Sequence, residues 1–236
     1  MIFIVDSKMP ASAKKKLCSF GDLLELQTSG LTYTAISGHP DIFFCPTSKG
    51  LVVSPQLPGK IYDALSAANV PYFAGAFPPG DKYPQSAVFN ALATGKYLIH
   101  NLDVTDATIA AMCSGLQHIH VKQAYVRCNL LALGDVFITS DAGIQRGLLE
   151  HGFEVHYFSP AEVRLDGFPH GFLGGVCGIW DDKIAVCGSL KYFSEASNLK
   201  KLVRQAGFKL FELYDGPLVD VGSIIPLFYP ERLFPG

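Results

Sequence analysis

The chain has 236 residues, 49% of them hydrophobic and only 17% charged, a balance that excludes a disordered chain and suits many strands buried on both faces. With 19 basic against 21 acidic residues the formal net charge is −2, so no general electrostatic pull draws this surface to nucleic acid or anionic lipid. Six cysteines without a C-x-x-C pair read as reduced thiols, and no apolar run nears the roughly 18 residues of a membrane span, so a cytoplasmic protein without nucleic-acid or membrane partners is expected.

The chain opens with a strand, Ile2 to Val5, halted by Asp6 and too short for a signal-peptide apolar region. A helix from Ala11 to Cys18 follows, its run Lys14-Lys15-Lys16 reading as a solvated face, and then a strand from Leu23 to Leu26. Next comes a strand pair, Asp41 to Cys45 and Gly50 to Ser54, a helical stretch Lys60 to Ala68, and a strand Tyr72 to Ala74. The order repeats with Ser86 to Asn90, Lys96 to His100, a helix entered at Asp103 to Asp106 and ended by Gly115, and His118 to Val121. It repeats again with Asn129 to Leu133, Val136 to Ser140, a helix Asp141 to Glu150 ended by Gly152, and Val155 to Phe158. The fourth copy has Gly174 to Gly178, Ile184 to Gly188, a helix Ser194 to Gln205 ended by Gly207, and Phe208 to Leu213. A last strand start, Asp220-Val221-Gly222-Ser223, follows at the same interval of roughly 45 residues, a period that signals radial or solenoidal repetition.

Each module therefore reads ββαβ. The N-terminal strand, helix and strand supply most of a fifth, completed if the segment Val219 to Leu227 pairs beside Ile2 to Val5 and removes the exposed sheet edge. The expected fold is α/β, a five-bladed α/β propeller of five ββαβ units about a pseudo-fivefold axis, in one domain over residues 1–236. A doubly wound sheet would show one strand per helix, whereas about three accompany each helix here.

At this level the chain resembles the pentein, or guanidino-group-modifying, superfamily, which includes dimethylarginine dimethylaminohydrolase, arginine deiminase and amidinotransferases. Pro40-Asp41-Ile42-Phe43-Phe44 is similar to that family's Pro-Asp-x-x-Phe strand, and Asn129 through Ser140 to its strand after Gly-Gly-Asp. Pro169-His170 through Cys177 resembles the segment of the family histidine, and Val219 to Ser223 the lead-in to its nucleophilic cysteine. The resemblance implies a thiolate nucleophile, a proton-shuttling histidine, and carboxylates that hold a cationic substrate.

Several positions depart from it. The nucleophile's place is occupied by Ile225 or Pro226, and no cysteine follows Cys187. The acidic pair expected after Asp41 is replaced by Pro46-Thr47, and the family's Glu-Gly-Gly-Asp by Arg127-Cys128-Asn129, a change from acid to neutral or basic that would hold a cationic substrate poorly. Candidate catalytic residues are His170, Cys177 and Cys128, the two cysteines ranking ahead of Cys45 as relocated nucleophiles. Candidate ligand-binding residues are Asp41, Asn129, Gly174, Gly175, Asp220 and Ser223, the paired glycines admitting close approach of a ligand or backbone.

His118 and His120 share one strand face, which suits two metal ligands, but no third stands at a diagnostic spacing. Neither a phosphate loop nor a Gly-x-Ser-x-Gly elbow is present. No cofactor and no metal are expected. The functional expectation is a diverged pentein binding a small polar ligand, guanidino- or amino-acid-like, in its central channel, without the usual guanidine-modifying activity. One alternative is an amidinohydrolase- or amidinotransferase-like enzyme with a relocated cysteine, and another is a non-catalytic interaction module. The segment Pro226 to Pro235 is expected to cap the ring or meet a partner.

Overall fold

The computed structural model describes residues 1–227, so the expected capping segment beyond Leu227 lies outside the described residues. In chain order the elements are β1 (Ile2–Asp6), α1 (Ala11–Leu17), β2 (Asp22–Leu26), α2 (Pro40–Phe43), β3 (Phe44–Thr47), β4 (Gly50–Val53), α3 (Gly59–Ala67), β5 (Tyr72–Ala74), β6 (Leu92–Ala93), β7 (Tyr97–His100), α4 (Ala107–Met112) and β8 (Gln117–His120). They continue with β9 (Leu130–Leu133), β10 (Val136–Thr139), α5 (Ala142–Glu150), β11 (Glu154–Tyr157), β12 (Val163–Arg164), β13 (Cys177–Trp180), β14 (Lys183–Val186), α6 (Ala196–Gln205), β15 (Lys209–Glu212), β16 (Leu218–Val219) and β17 (Ile225–Leu227).

The strands form five three-stranded sheets, ordered β17-β1-β2, β3-β4-β5, β6-β7-β8, β9-β10-β11 and β13-β14-β15, with β12 and β16 as a short parallel pair. Every three-stranded sheet has the same grammar: an antiparallel first pair, and a parallel third strand reached through a helix. A parallel neighbour needs a crossover rather than a tight turn, and the helices supply it. The first sheet obeys this grammar with strands from opposite ends of the chain, Ile4 facing Ile225 in antiparallel register.

Helix starts follow local chemistry. Asp106 and Asp141 each accept two backbone N–H groups of the first turn, from Thr108 and Ile109 and from Gly143 and Ile144. In α1 the buried residues are Ala13 and Leu17, so Lys15 and Lys16 project to solvent while Lys14 pairs with Glu25 at 2.9 Å. Three of the expected strand starts differ in form. Asp41 sits in the single turn α2, Ser86 in a 3₁₀ turn (Gln85–Ala87), and Gly174-Gly175 in another (Gly174–Val176), each ahead of its strand. Apolar runs such as Ile42-Phe43-Phe44 read as extended from sequence, but Pro40 presets the backbone for a helical first turn.

The core is divided between neighbouring sheets rather than gathered in one centre. Ile4, Leu26 and Ile225 of the first sheet pack with Leu51, Val53 and the α3 residues Ile61 and Leu65. Val52 of the second sheet meets Leu98 of the third over Ile109 of α4. Ile99 and Ile119 of the third meet Phe137 of the fourth over Ile144 and Leu148 of α5. A final cluster joins Leu131 and Ile138 of the fourth, Ile184 and Val186 of the fifth, Leu199 and Val203 of α6, and Phe3 and Val5 of the first. The ring of Phe3, fully buried, lies edge-on to Trp180 with centroids 4.9 Å apart. Phe3→Ala is expected to cost about 3–5 kcal/mol, read from urea unfolding followed by the fluorescence of Trp180, the one tryptophan of the chain; a loss under about 1 kcal/mol would show that this contact does not hold first and last sheets together.

Candidate functional site

The segments that lead into β3, β9, β13 and β17 bring a set of polar side chains together out of water. Asp41, on α2, is fully buried; its Oδ2 accepts a hydrogen bond from Ser223 Oγ at 2.7 Å, and its Oδ1 has no partner. The Ser223 hydroxyl also lies 3.3 Å from the carbonyl of Gly174. Ser223 reaches both because Gly222 and Ser223 adopt successive left-handed backbone conformations, φ +68° and +65°. At Gly222 that freedom has a steric complement, since a Cβ there would overlap His39.

Asp220 accepts from its own turn, Gly222 N at 2.9 Å, and from Phe172 N at 2.8 Å. Gly175 lies so close to this carboxylate that a Cβ would collide with it, which gives the glycine pair a structural reason. Between Asp220 and Asp6 sits His39, its ring nitrogens 3.9 and 3.8 Å from the two carboxylates. Burial lowers His39 to about 3, so the ring is neutral at physiological pH. Burial raises Asp41 to about 6, opposed by the Ser223 hydrogen bond and the charge of Arg127. It raises Asp220 to about 7, with the charge of Asp41 adding to the shift, and it raises Asp6 as well.

The remaining candidates are placed differently. Asn129 is committed to its surroundings, donating to Tyr125 O at 2.9 Å and accepting from Ser140 Oγ at 2.9 Å. Cys128 Sγ lies 3.4 Å from Asn90 Oδ1, and burial, then Asp41 and Asp220, raises its thiol well above the ordinary range. Burial pushes Cys45 and Cys177 up to about 12. His170 is half-buried, with Nδ1 2.8 Å from Gly171 O and its ring near Phe172; no hydrogen bond joins it to Asp41, Asp220 or a cysteine. His118 and His120 are both engaged with backbone, at Cys113 O and Leu102 N.

Beside this polar cluster lies a cavity of about 660 Å³. All five antiparallel first strands contribute to its wall, through Thr47, Ala93, Leu131, Ile179 and Pro226, and Gly174, Ser223, Cys177 and Arg127 also border it. Its other margin is formed by the hairpin turns at Ser48, Lys96 and Asp135, all exposed, with Lys96 and Asp135 paired at 2.7 Å. Asp41, Asn129, Gly175, Asp220 and His170 do not border the cavity. The hydroxyls of Tyr33, Tyr125 and Ser86 form a chain at 3.0 and 2.6 Å, with Tyr83 and Phe172 against Tyr125.

Arg127, His39, Asn90 and Tyr125 matter to this geometry more than the sequence suggests. Arg127 is legible as part of a segment changed from acid to neutral or basic; the others carry no sequence signal, since each gains its role from partners distant along the chain.

The raised acids make a prediction. Asp220 releases its proton near 3.8 unfolded and near 7 folded, so between about pH 4 and 7 the fold holds a proton that the unfolded chain has lost. The contribution of this group to stability therefore falls as pH rises through that window and is flat above it. Asp220→Asn removes the titration, so relative to wild type the variant should gain on the order of 4 kcal/mol from pH 4 to pH 8, in addition to a constant offset. Urea unfolding at each pH measures the difference, and a pH-independent difference would refute the assignment.

In sequence, the model of a family of unknown function, DUF6873, matches residues 4–225. No curated protein matches the chain. Among solved structures, DDAH from Pseudomonas aeruginosa complexed with citrulline superposes with a TM-score of 0.53 at 10% identity, over 89% of this chain and 91% of that one. An agmatine deiminase from C. jejuni gives 0.54 at 9% identity, over 90% and 87%. SxtG, an amidinotransferase from Microseira wollei in the saxitoxin biosynthetic pathway, gives 0.51 at 11% identity, over 89% and 87%. At such identities the likeness is one of fold, and the chain belongs to the DUF6873 family with the α/β fold of the pentein superfamily.

Proposed function

We propose that residues 1–236 form a single five-bladed α/β propeller that binds a small ligand by its polar end in a central channel and has lost guanidine-modifying activity. The cavity walled by one strand from each of five sheets supports this reading most directly. The interface clusters, which link first sheet to second, second to third, third to fourth, and fourth through fifth back to first, support a closed ring. In this reading Ser223 and Gly174 meet the ligand beside Arg127, while Asp41, Asn129, Gly175 and Asp220 hold the turns that carry them, and His170 lies outside the channel. A pocket of this size with few convergent polar groups suits a small molecule.

Loss of the guanidine chemistry is supported by the thiols. Attack on a guanidinium carbon needs a thiolate, and burial holds Cys45 and Cys177 near 12 and Cys128 well above its ordinary value. Iodoacetamide at neutral pH is expected to modify exposed Cys18 first and the five buried cysteines only slowly; preferential labelling of Cys128 or Cys177 would favour an enzyme with a relocated nucleophile.

The channel itself is tested by thermal shift against citrulline, arginine, other amino acids, nucleotides and aliphatic carboxylates. At least one class should raise Tm by several degrees, since a ligand at about 100 times its Kd adds about 2.7 kcal/mol. Ala93→Trp, which fills the channel from β6, should abolish the shift while the variant remains folded. If no class shifts Tm, or the tryptophan leaves the shift intact, the channel is not a ligand site.

A further inference from the structure

Arg127 is the unusual group of the cavity. It stands on the loop between β8 and β9, lines the cavity, and is only partly exposed. Its Nε is buried without a hydrogen-bond partner. Among the described residues its guanidinium has no carboxylate within ion-pair distance, although Asp41 and the thiols of Cys45 and Cys128 are near enough to act on it electrostatically. Asp41 is engaged by Ser223 instead. A guanidinium carries five N–H donors and cannot lower its cost by shedding its proton, so an enclosed and unpaired arginine is an expensive arrangement that an incoming anion would relieve.

The rest of the cavity defines what such an anion must look like. Lys96, the other cation on its border, is at the exposed rim and already paired with Asp135. The wall between rim and Arg127 is aliphatic, with Leu51, Leu92, Leu131, Ile179 and Leu227. One uncompensated cation matches one negative charge, and a planar guanidinium matches a planar carboxylate in two parallel hydrogen bonds. The charged side chains that line the cavity besides Arg127 are Lys96 and Asp135, which pair with each other at the exposed rim, so the stretch of ligand along Leu51, Leu92, Leu131, Ile179 and Leu227 meets no free charge and should be apolar.

We propose that the channel is a site for an aliphatic monocarboxylate, bound head-first with its carboxylate on Arg127 and its hydrocarbon body along the inner strands toward the hairpin turns. The inference rests on the channel-ligand reading above and specifies the ligand class and the residue that selects it. It inverts the charge preference that the pentein resemblance implies for this region, where acids would hold a cation. The inversion follows from the change of this segment from acidic to neutral or basic, with Arg127 as its one cation.

The test is calorimetric titration of the whole chain with octanoate, with octanamide as a neutral probe of similar shape, and with octylammonium as its cationic counterpart. Octanoate is expected to bind about ten- to a hundredfold more tightly than octanamide, the worth of a charged hydrogen-bond pair out of water, and octylammonium not at all. Arg127→Gln should weaken octanoate by a similar factor and change octanamide less than about twofold. Arg127→Lys, which keeps the charge without the fork, should fall between them and serves as the informative variant if the glutamine form does not fold. Ala93→Trp should abolish binding of both octanoate and octanamide. Equal affinity for octanoate and octanamide, or octanoate binding unchanged by Arg127→Gln, would overturn the anion assignment while leaving a channel ligand in place. Binding of octanoate that survives Ala93→Trp would place it elsewhere and also overturn it. If octanoate fails to bind while another class gives a channel-dependent thermal shift, the anion assignment alone falls; if no class does, the channel reading falls with it.

Discussion

Ile4 and Ile225 face each other in antiparallel register, both fully buried, and the positions of Ser223 and of the groups it meets depend on that pairing. With β17 fixed beside β1, the turn before it, Gly222-Ser223, is held against α2 and against the Gly174-Gly175 turn. The backbone confirms the lock: Gly222 O accepts from Asp41 N at 3.0 Å, and Gly175 O accepts from both Val221 N and Ser223 N at 3.0 and 2.9 Å. Residues from three distant stretches thus converge on one hydroxyl. Buried backbone groups must be paired, so the convergence is enforced by main-chain accounting before any side chain contributes.

The acids illustrate how burial decides their chemistry. Asp6, Asp41 and Asp220 surround a neutral His39, and all three are shifted upward. Burial penalises the ionised form of each, and for Asp41 and Asp220 the neighbouring carboxylates add to the shift, while Lys8 and Lys14 oppose it at Asp6 and Arg127 at Asp41. Hydrogen bonds from the Ser223 hydroxyl and from the backbone N–H groups of Gly222, Phe172 and Lys8 then stabilise whichever oxygens remain charged. Arg127 helps Asp41 at a distance but is not consumed by it, which leaves its donors facing the cavity.

Much of the fold was legible because strand and helix periods recur in order, and the turn residues between them mark the breaks. The helices entered at Asp106 and Asp141 carry their own caps, and the pairing of the chain's last strand with its first follows from the edge each would otherwise expose. The lead-in turns were not legible as turns. Asp41-Ile42-Phe43, Ser86-Ala87 and Gly174-Gly175-Val176 look extended by composition, yet they coil once so that a polar group can turn inward before the strand begins. The site was legible only in part. Asp41, Asp220, Ser223 and Gly174 do meet, but Asn129 is spent on Tyr125 and Ser140, and His170 stands apart. His39 and Asn90 owe their places to contacts with residues far along the chain, and no spacing rule could single them out.

The same burial that closes this fold bears on its chemistry. A thiol held near 12 is ionised to about one part in 10⁵ at pH 7, so Cys177, although it borders the cavity, offers almost no nucleophile. The neighbours make matters worse, since Asp220 raises Cys177, and Asp41 and Asp220 raise Cys128. Arg127 lowers Cys45 and the hydrogen bond with Asn90 lowers Cys128, but both are outweighed by desolvation. A nucleophile needs its counter-charge close and its water partly retained, and burial outweighs whatever favourable partner each of these cysteines has. What the site does supply is Arg127, which has no carboxylate within ion-pair distance among the described residues, at the side of a largely aliphatic cavity. Under the proposal of an anion site, Arg127 and the absence of a cysteine after Cys187 become two parts of one change in what the cavity accommodates.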